Sequence, residues 1–132
     1  MKIIDGKNAT LGRLASYVAK ETLRGEDIVV LNCEQVIITG DKGHIKKIYQ
    51  EKREKIGSGQ KGPKYPRRAD LMVKRTIRGM LPNHRKGRGK IAFRKIRCYV
   101  GIPKEFEASK KILAGKIKKS KFVYIKQLTK NE

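Results

Sequence analysis

Apolar residues return along this chain with two different periods. Leu11, Leu14, Ala15, Val18, Ala19 and Thr22 recur every three or four positions, which places them on one face of a helix that runs to about Arg24 and stops at Gly25. Asn8 or Thr10 stands where its cap belongs. On either side the pattern changes. Residues 2–4 read as a short strand left through the turn Asp5-Gly6-Lys7-Asn8, and residues 28–31 are apolar without alternation, as in a strand covered on both faces. Strand, helix and strand in that order predict a right-handed crossover between parallel strands, so the fold opens as β-α-β.

Residues 36–39 form a further apolar strand-like piece ending at Gly40. Asp41 is placed to cap a second helix reaching about residue 55, with Ile45, Ile48, Tyr49 and Ile56 inward and Lys46, Lys47, Lys52 and Arg53 outward. Residues 56–68, with three glycines, two prolines and no periodicity, predict an extended loop. A helix over residues 69–81 follows, with Val73, Ile77 and Met80 on one side and Lys74, Arg75 and Arg78 turned elsewhere. Pro82 bars its continuation. Residues 83–90 carry Arg85, Lys86, Arg88 and Lys90 with Gly87 and Gly89 between them, a composition that predicts a second loop, ordered only against an anion. Residues 91–95 suit a helical turn. Ile96, Cys98 and Val100 alternate with Arg97 and Tyr99 as a strand beside the first two, before Gly101-Ile102-Pro103 breaks it. Residues 104–132 are lysine-rich, with a weak strand at 122–125. There is no internal repeat, and 132 residues suit one domain.

Charge sharpens this picture. The chain holds 34 Lys and Arg against 12 Asp and Glu, a net charge of +22. Residues 1–41 contribute five basic and six acidic side chains, and residues 42–132 contribute 29 and six. A scaffold of ordinary composition is thus joined to a strongly basic surface, which repels itself unless polyanions neutralise it. Arginine forks fit phosphate oxygens in pairs, and glycine lets a backbone approach a ligand closely. A solvated basic face is the plain alternative for any single run of this kind. The residues placed to meet a nucleic acid are Arg13, exposed in the first turn of the first helix; Lys61, Lys64, Tyr65, Arg67 and Arg68 in the first loop; Lys74, Arg75, Arg78 and Gly79 on the third helix; and His84, Arg85, Lys86, Arg88, Lys90 and Arg94 beyond it.

Other function classes fit the residues poorly. No stretch approaches the roughly 20 apolar residues of a membrane span, and MKIIDGK is no secretory leader, so a soluble cytoplasmic protein is expected. Cys33 and Cys98 read as buried free thiols, and the spacing of Cys33, His44, His84 and Cys98 matches no structural zinc pattern. No cofactor or metal is expected. Gly6 to Arg13 resembles a phosphate loop superficially, but five residues separate its glycines and Arg-Leu follows the second. Gly12 reads better as a close-packing position. Asp5, Asp27 and Glu34 could lie at strand ends, where mononucleotide folds place active sites, yet neither a serine elbow nor a histidine with a spaced carboxylate accompanies them. An enzyme acting on RNA or a nucleotide is therefore the rival to a binding protein without a small-molecule substrate.

Asp5-Gly6-Lys7, Leu11-Gly12-Arg13-Leu14-Ala15-Ser16, Val29-Val30-Leu31-Asn32-Cys33-Glu34 and Arg75-Thr76-Ile77-Arg78-Gly79-Met80-Leu81-Pro82, in this order, resemble the ribosomal protein L-thirteen family of the large subunit. The segment Gly62-Pro63-Lys64-Tyr65-Pro66-Arg67-Arg68-Ala69 is similar to its archaeal and eukaryotic members, which points to the archaeal type. The resemblance spans about residues 3–103. It implies a three-layer α/β/α domain around a four-stranded, mostly parallel sheet with long basic loops. It further implies a structural, rRNA-binding role supporting assembly of the large subunit, with rRNA and neighbouring ribosomal proteins as partners. The family's long motif falls on Arg75, Arg78 and Gly79.

Overall fold

The β-α-β opening forms as the periodicity predicts. The computed structural model describes residues 1–54, 66–113, 115 and 121–129. In it, β1 (Lys2–Asp5) and β2 (Ile28–Leu31) lie parallel on either end of α1 (Leu11–Leu23). Further along come β3 (Ile37–Thr39), α2 (Lys42–Glu54), α3 (Ala69–Met80), α4 (Gly87–Arg94), β4 (Ile96–Cys98), β5 (Ile112–Leu113), β6 (Phe122–Tyr124) and α5 (Ile125–Thr129). The fold is α/β: a four-stranded parallel sheet in the order β4-β2-β1-β5, flanked by helices, with β3 and β6 paired antiparallel beside it.

β2 lies between β1 and β4 and is buried along its whole length, which explains its unbroken apolar run. Ile4, Ile28, Val30 and Ile96 form one core with the apolar faces of α1, α3, α4 and α5. On the opposite face Val29 and Leu31 pack with Phe106, Ile3 and Tyr99. Among the described residues that second cover is thin, since Phe106 comes from a single 3-10 turn, Lys104–Phe106.

Several local expectations are corrected. Thr10 takes the N-cap position of α1 without a side-chain hydrogen bond. Gly12 is exposed and, among the described residues, no packing position, because a Cβ there would meet nothing within 4 Å. Met80, at the last turn of α3, is 44% exposed, and Leu81 turns into the core in its place. Val100 lies past the end of β4 and is exposed. Arg53 is not an outward cation: its guanidinium donates to the Leu128 carbonyl at 2.7 Å and to Met72 Sδ at 3.5 Å, tying α2 to α5 and α3. Cys33 is a buried free thiol, whereas Cys98 is only half-buried. The hydrogen bond to the Cys98 thiol, with burial, pushes the Cys33 thiol far up, so it stays protonated.

The lysine-rich C-terminal part contributes to the core. β6 pairs with β3, Ile125 N–H donates to Val36 O at 2.9 Å, and Ile125 and Leu128 are buried. Tyr124 is likewise structural, its hydroxyl donating to Asn8 Oδ1 at 3.0 Å. Gly115 lies so close to the backbone of Lys7, Asn8 and Ala9 that no side chain fits there.

Candidate nucleic-acid interface

Pro82 ends α3, and an Asx turn reverses the chain: Arg85 N–H donates to Asn83 Oδ1 at 3.1 Å and Lys86 N–H to Asn83 O at 3.3 Å. Gly87, with φ of +61°, then starts α4, so residues 83–90 are not one loop. The basic, glycine-rich composition concealed this helix. Gly89 is buried, and a Cβ on it would collide with the Pro82 and Asn83 carbonyl oxygens, so its bareness lets α4 dock on the turn. The close approach made by this glycine is internal to the protein.

Packed on α1, α4 sets Phe93 within reach of Lys74 on α3. Lys74 Nζ lies 5.0 Å from the centre of the Phe93 ring, a cation–π contact. The imidazole of His84 meets the same ring edge to face at 5.9 Å. Desolvation, then the positive charges of Arg78 and Arg85, hold His84 below the ordinary histidine range, which keeps it neutral near pH 7. Lys74 and His84 therefore both meet one half-buried aromatic, and the charges of Arg78 and Arg85 are felt at His84. Phe93 was not among the sequence-predicted site residues, because its part depends on where α4, packed on α1, sets it relative to Lys74 and His84.

Around this cluster the other predicted residues divide. Arg88, Lys90 and Arg94 stand exposed on α4, with Lys86 at its N-cap, and Ile91 is 60% exposed among them. On α3, Ala69, Met72, Val73 and Ile77 face the core, so Arg75 shares the outer side with Lys74 and Arg78, and exposed Gly79 lies one turn after Arg75. Arg67 and Arg68 sit at the other end of α3, about 15 Å from Arg78 at ~1.5 Å per residue. They border a cleft of about 760 Å³ together with Lys46, Tyr49 and Arg53 of α2 and Leu128 of α5. There Arg68 is already paired with Asp70 at 3.0 Å. Arg13 is exposed on α1. Lys61, Lys64 and Tyr65 lie outside the described residues.

The carboxyl end of the sheet, where a mononucleotide fold would bind its ligand, is filled by the protein itself. Asp5 Oδ1 accepts from Asn32 Nδ2 at 2.9 Å and from Lys7 N–H at 3.0 Å. Glu34 Oε2 accepts from Gly101 N–H at 2.8 Å, and Gly115 crosses against Lys7–Ala9. Asp5 and Glu34 thus secure turns, leaving the outward cations as the prominent chemistry. Among the described residues no helix is long and apolar enough to cross a membrane.

The family model for ribosomal protein L13 matches residues 1–105. Large ribosomal subunit protein uL13 of Methanocaldococcus jannaschii is 47% identical over 134 aligned positions, covering 99% of this chain and 96% of the relative. The protein of that name from Methanococcus maripaludis is 51% identical over 106 positions, covering 78% and 77%. That from Archaeoglobus fulgidus is 41% identical over 134 positions, covering 97% and 85%. With the family model spanning residues 1–105 and such identity along nearly the whole chain, this protein belongs to the ribosomal protein L13 family and is of the archaeal type.

Proposed function

We propose that the protein is a structural, non-catalytic constituent of the large ribosomal subunit that binds large-subunit rRNA and supports assembly. The observation that carries this reading is the basic surface made by Lys74 and His84 at the Phe93 ring, with Arg78 and Arg85 acting on His84, and continued by exposed Arg88, Lys90 and Arg94 along α4. Cations on α3 and α4, which both pack on α1, present an array to phosphates, which recognises folded RNA by shape and backbone and leaves base sequence to the RNA's own fold. Arg13, Arg67, Arg68, Arg75, Gly79 and Lys86 are further rRNA contacts in this reading, and Lys61, Lys64 and Tyr65, which lie outside the described residues, are assigned to it from the sequence. Its partners are rRNA and neighbouring large-subunit proteins, and its place is the cytoplasmic ribosome.

Sedimentation of a cell lysate at low salt tests the reading. The protein should travel with large subunits, and the Arg75→Ala, Arg78→Ala double variant should shift towards the top of the gradient while keeping its circular dichroism spectrum. Recovery of the wild-type protein mainly as a free pool would overturn the assignment.

A further inference from the structure

Ten of the chain's glycines lie among the described residues, and seven have a reason inside the protein. Gly25, Gly40, Gly87 and Gly101 hold positive φ, and Gly6, Gly89 and Gly115 press against the chain's own backbone. Gly12, Gly43 and Gly79 do not. All three sit in helices with ordinary backbone angles, where alanine is the better helix former. A Cβ on Gly12 or Gly79 would meet nothing within 4 Å, and one on Gly43 would touch only Asp41 Oδ2, at an ordinary 3.5 Å.

The bareness of Gly12 and Gly79 therefore costs helix stability and gains nothing among the described residues. Both share a second feature. Gly12 is followed by exposed Arg13, while Gly79 follows Arg78 directly and lies one helical turn after Arg75. Each is an uncovered stretch of helix backbone with a guanidinium beside it, open to solvent. Gly43 differs because the carboxylate of Asp41 overlooks it, which repels a phosphate.

We infer that Gly12 and Gly79 are bare-backbone seats for the sugar–phosphate chain of RNA, where the neighbouring arginine grips a phosphate and the missing side chain lets the strand lie against the helix. The inference rests on the rRNA-binding reading and adds two defined contact points to it, one on α1 and one on α3. It assigns these glycines a role in the complex that opposes their effect on the free protein, since stability and binding respond to alanine with opposite signs.

The test compares Gly12→Ala, Gly79→Ala and Gly43→Ala in the full chain, reading the melting temperature of the free protein and filter binding to large-subunit rRNA. All three variants should melt at or slightly above the wild-type temperature. Gly12→Ala and Gly79→Ala should each weaken rRNA binding roughly tenfold or more, the scale of one lost charge-assisted contact, with leucine worse than alanine. Gly43→Ala should bind as wild type. Wild-type binding by Gly12→Ala and Gly79→Ala, beside a binding wild-type protein, would overturn the inference alone. A lower melting temperature would overturn it too, by showing that the fold needs the glycine. Normal binding to isolated rRNA with failed entry into subunits would transfer these seats to a protein neighbour and overturn the RNA assignment. If the wild-type protein itself does not bind rRNA, the functional reading falls and takes this inference with it.

Discussion

Replacing Gly89 with alanine separates two roles open to a glycine in a basic segment, close packing within the protein and close approach of a ligand. In the structure its Cα faces the carbonyl oxygens of Pro82 and Asn83, both backbone atoms, and an added methyl group overlaps them. No flexible side chain can yield, so either α4 lifts off the turn or the turn moves. Forcing a methyl into a filled contact costs about 1–3 kcal/mol. With roughly 4 °C per kcal/mol for a domain of this size, the melting temperature should fall by ~4–12 °C. The helix would also carry Phe93 away from Lys74 and His84, so rRNA binding should weaken as a consequence. Thermal melts of free Gly89→Ala protein by circular dichroism read the first effect without RNA. An unchanged melting temperature with weakened binding would refute the packing argument and return Gly89 to the ligand.

Three further outcomes follow from the same coordinates. Because bound phosphate favours the imidazolium that His84 resists in the free protein, rRNA affinity should rise as pH falls from about 8 to 6 more steeply for wild type than for His84→Gln; parallel profiles would remove His84 from the interface. The hydrogen bond from Lys2, at 2.9 Å, holds the Glu21 carboxyl below its ordinary range. A carboxyl so depressed stabilises the fold above its unfolded pKa of about 4.3 and loses that contribution as pH falls through the folded value, so urea midpoints of wild type and Glu21→Gln should converge in acid; a constant gap would contradict the linkage. Leu128, 2% exposed, should cost about 2–5 kcal/mol when cut to alanine, against little for exposed Lys121→Ala, in chemical denaturation; equal small effects would show that α5 lies outside the core.

The parts of the fold legible in the sequence are those whose cause is local. The α1 stripe and the apolar run of β2 each declare their surroundings by period alone, and Asp41 is placed where its carboxylate accepts the His44 N–H at 3.3 Å. Arg53 looked outward because helical spacing knows nothing of Leu128, whose carbonyl lies 75 positions later in the chain. The burial of Val123, Ile125 and Leu128 depends in the same way on β3, far back in the chain, and lysine content obscured it. At the candidate interface the cations of α3 were readable from composition. Phe93 and the true role of Gly89 were not, since they arise from how α4 sits against the Pro82–Asn83 turn and beside Lys74, which no periodicity encodes. The glycine argument fails for Gly89, which faces a carbonyl pair inside the protein, whereas Gly79 is exposed.

The salt dependence of rRNA binding, measured by filter assay for wild type and for the Arg78→Ala, Arg85→Ala, Arg88→Ala triple variant, tests the central claim most directly. Each neutralised phosphate contributes roughly −0.9 to the slope of log K against log salt on a duplex and about −0.7 on a single strand. If these three arginines of the α3–α4 surface lie on phosphates, the triple variant should bind more weakly with a slope shallower by about 2–3, while its melting temperature stays near that of wild type. An unchanged slope in the triple variant, or a wild-type slope near zero, would contradict the account.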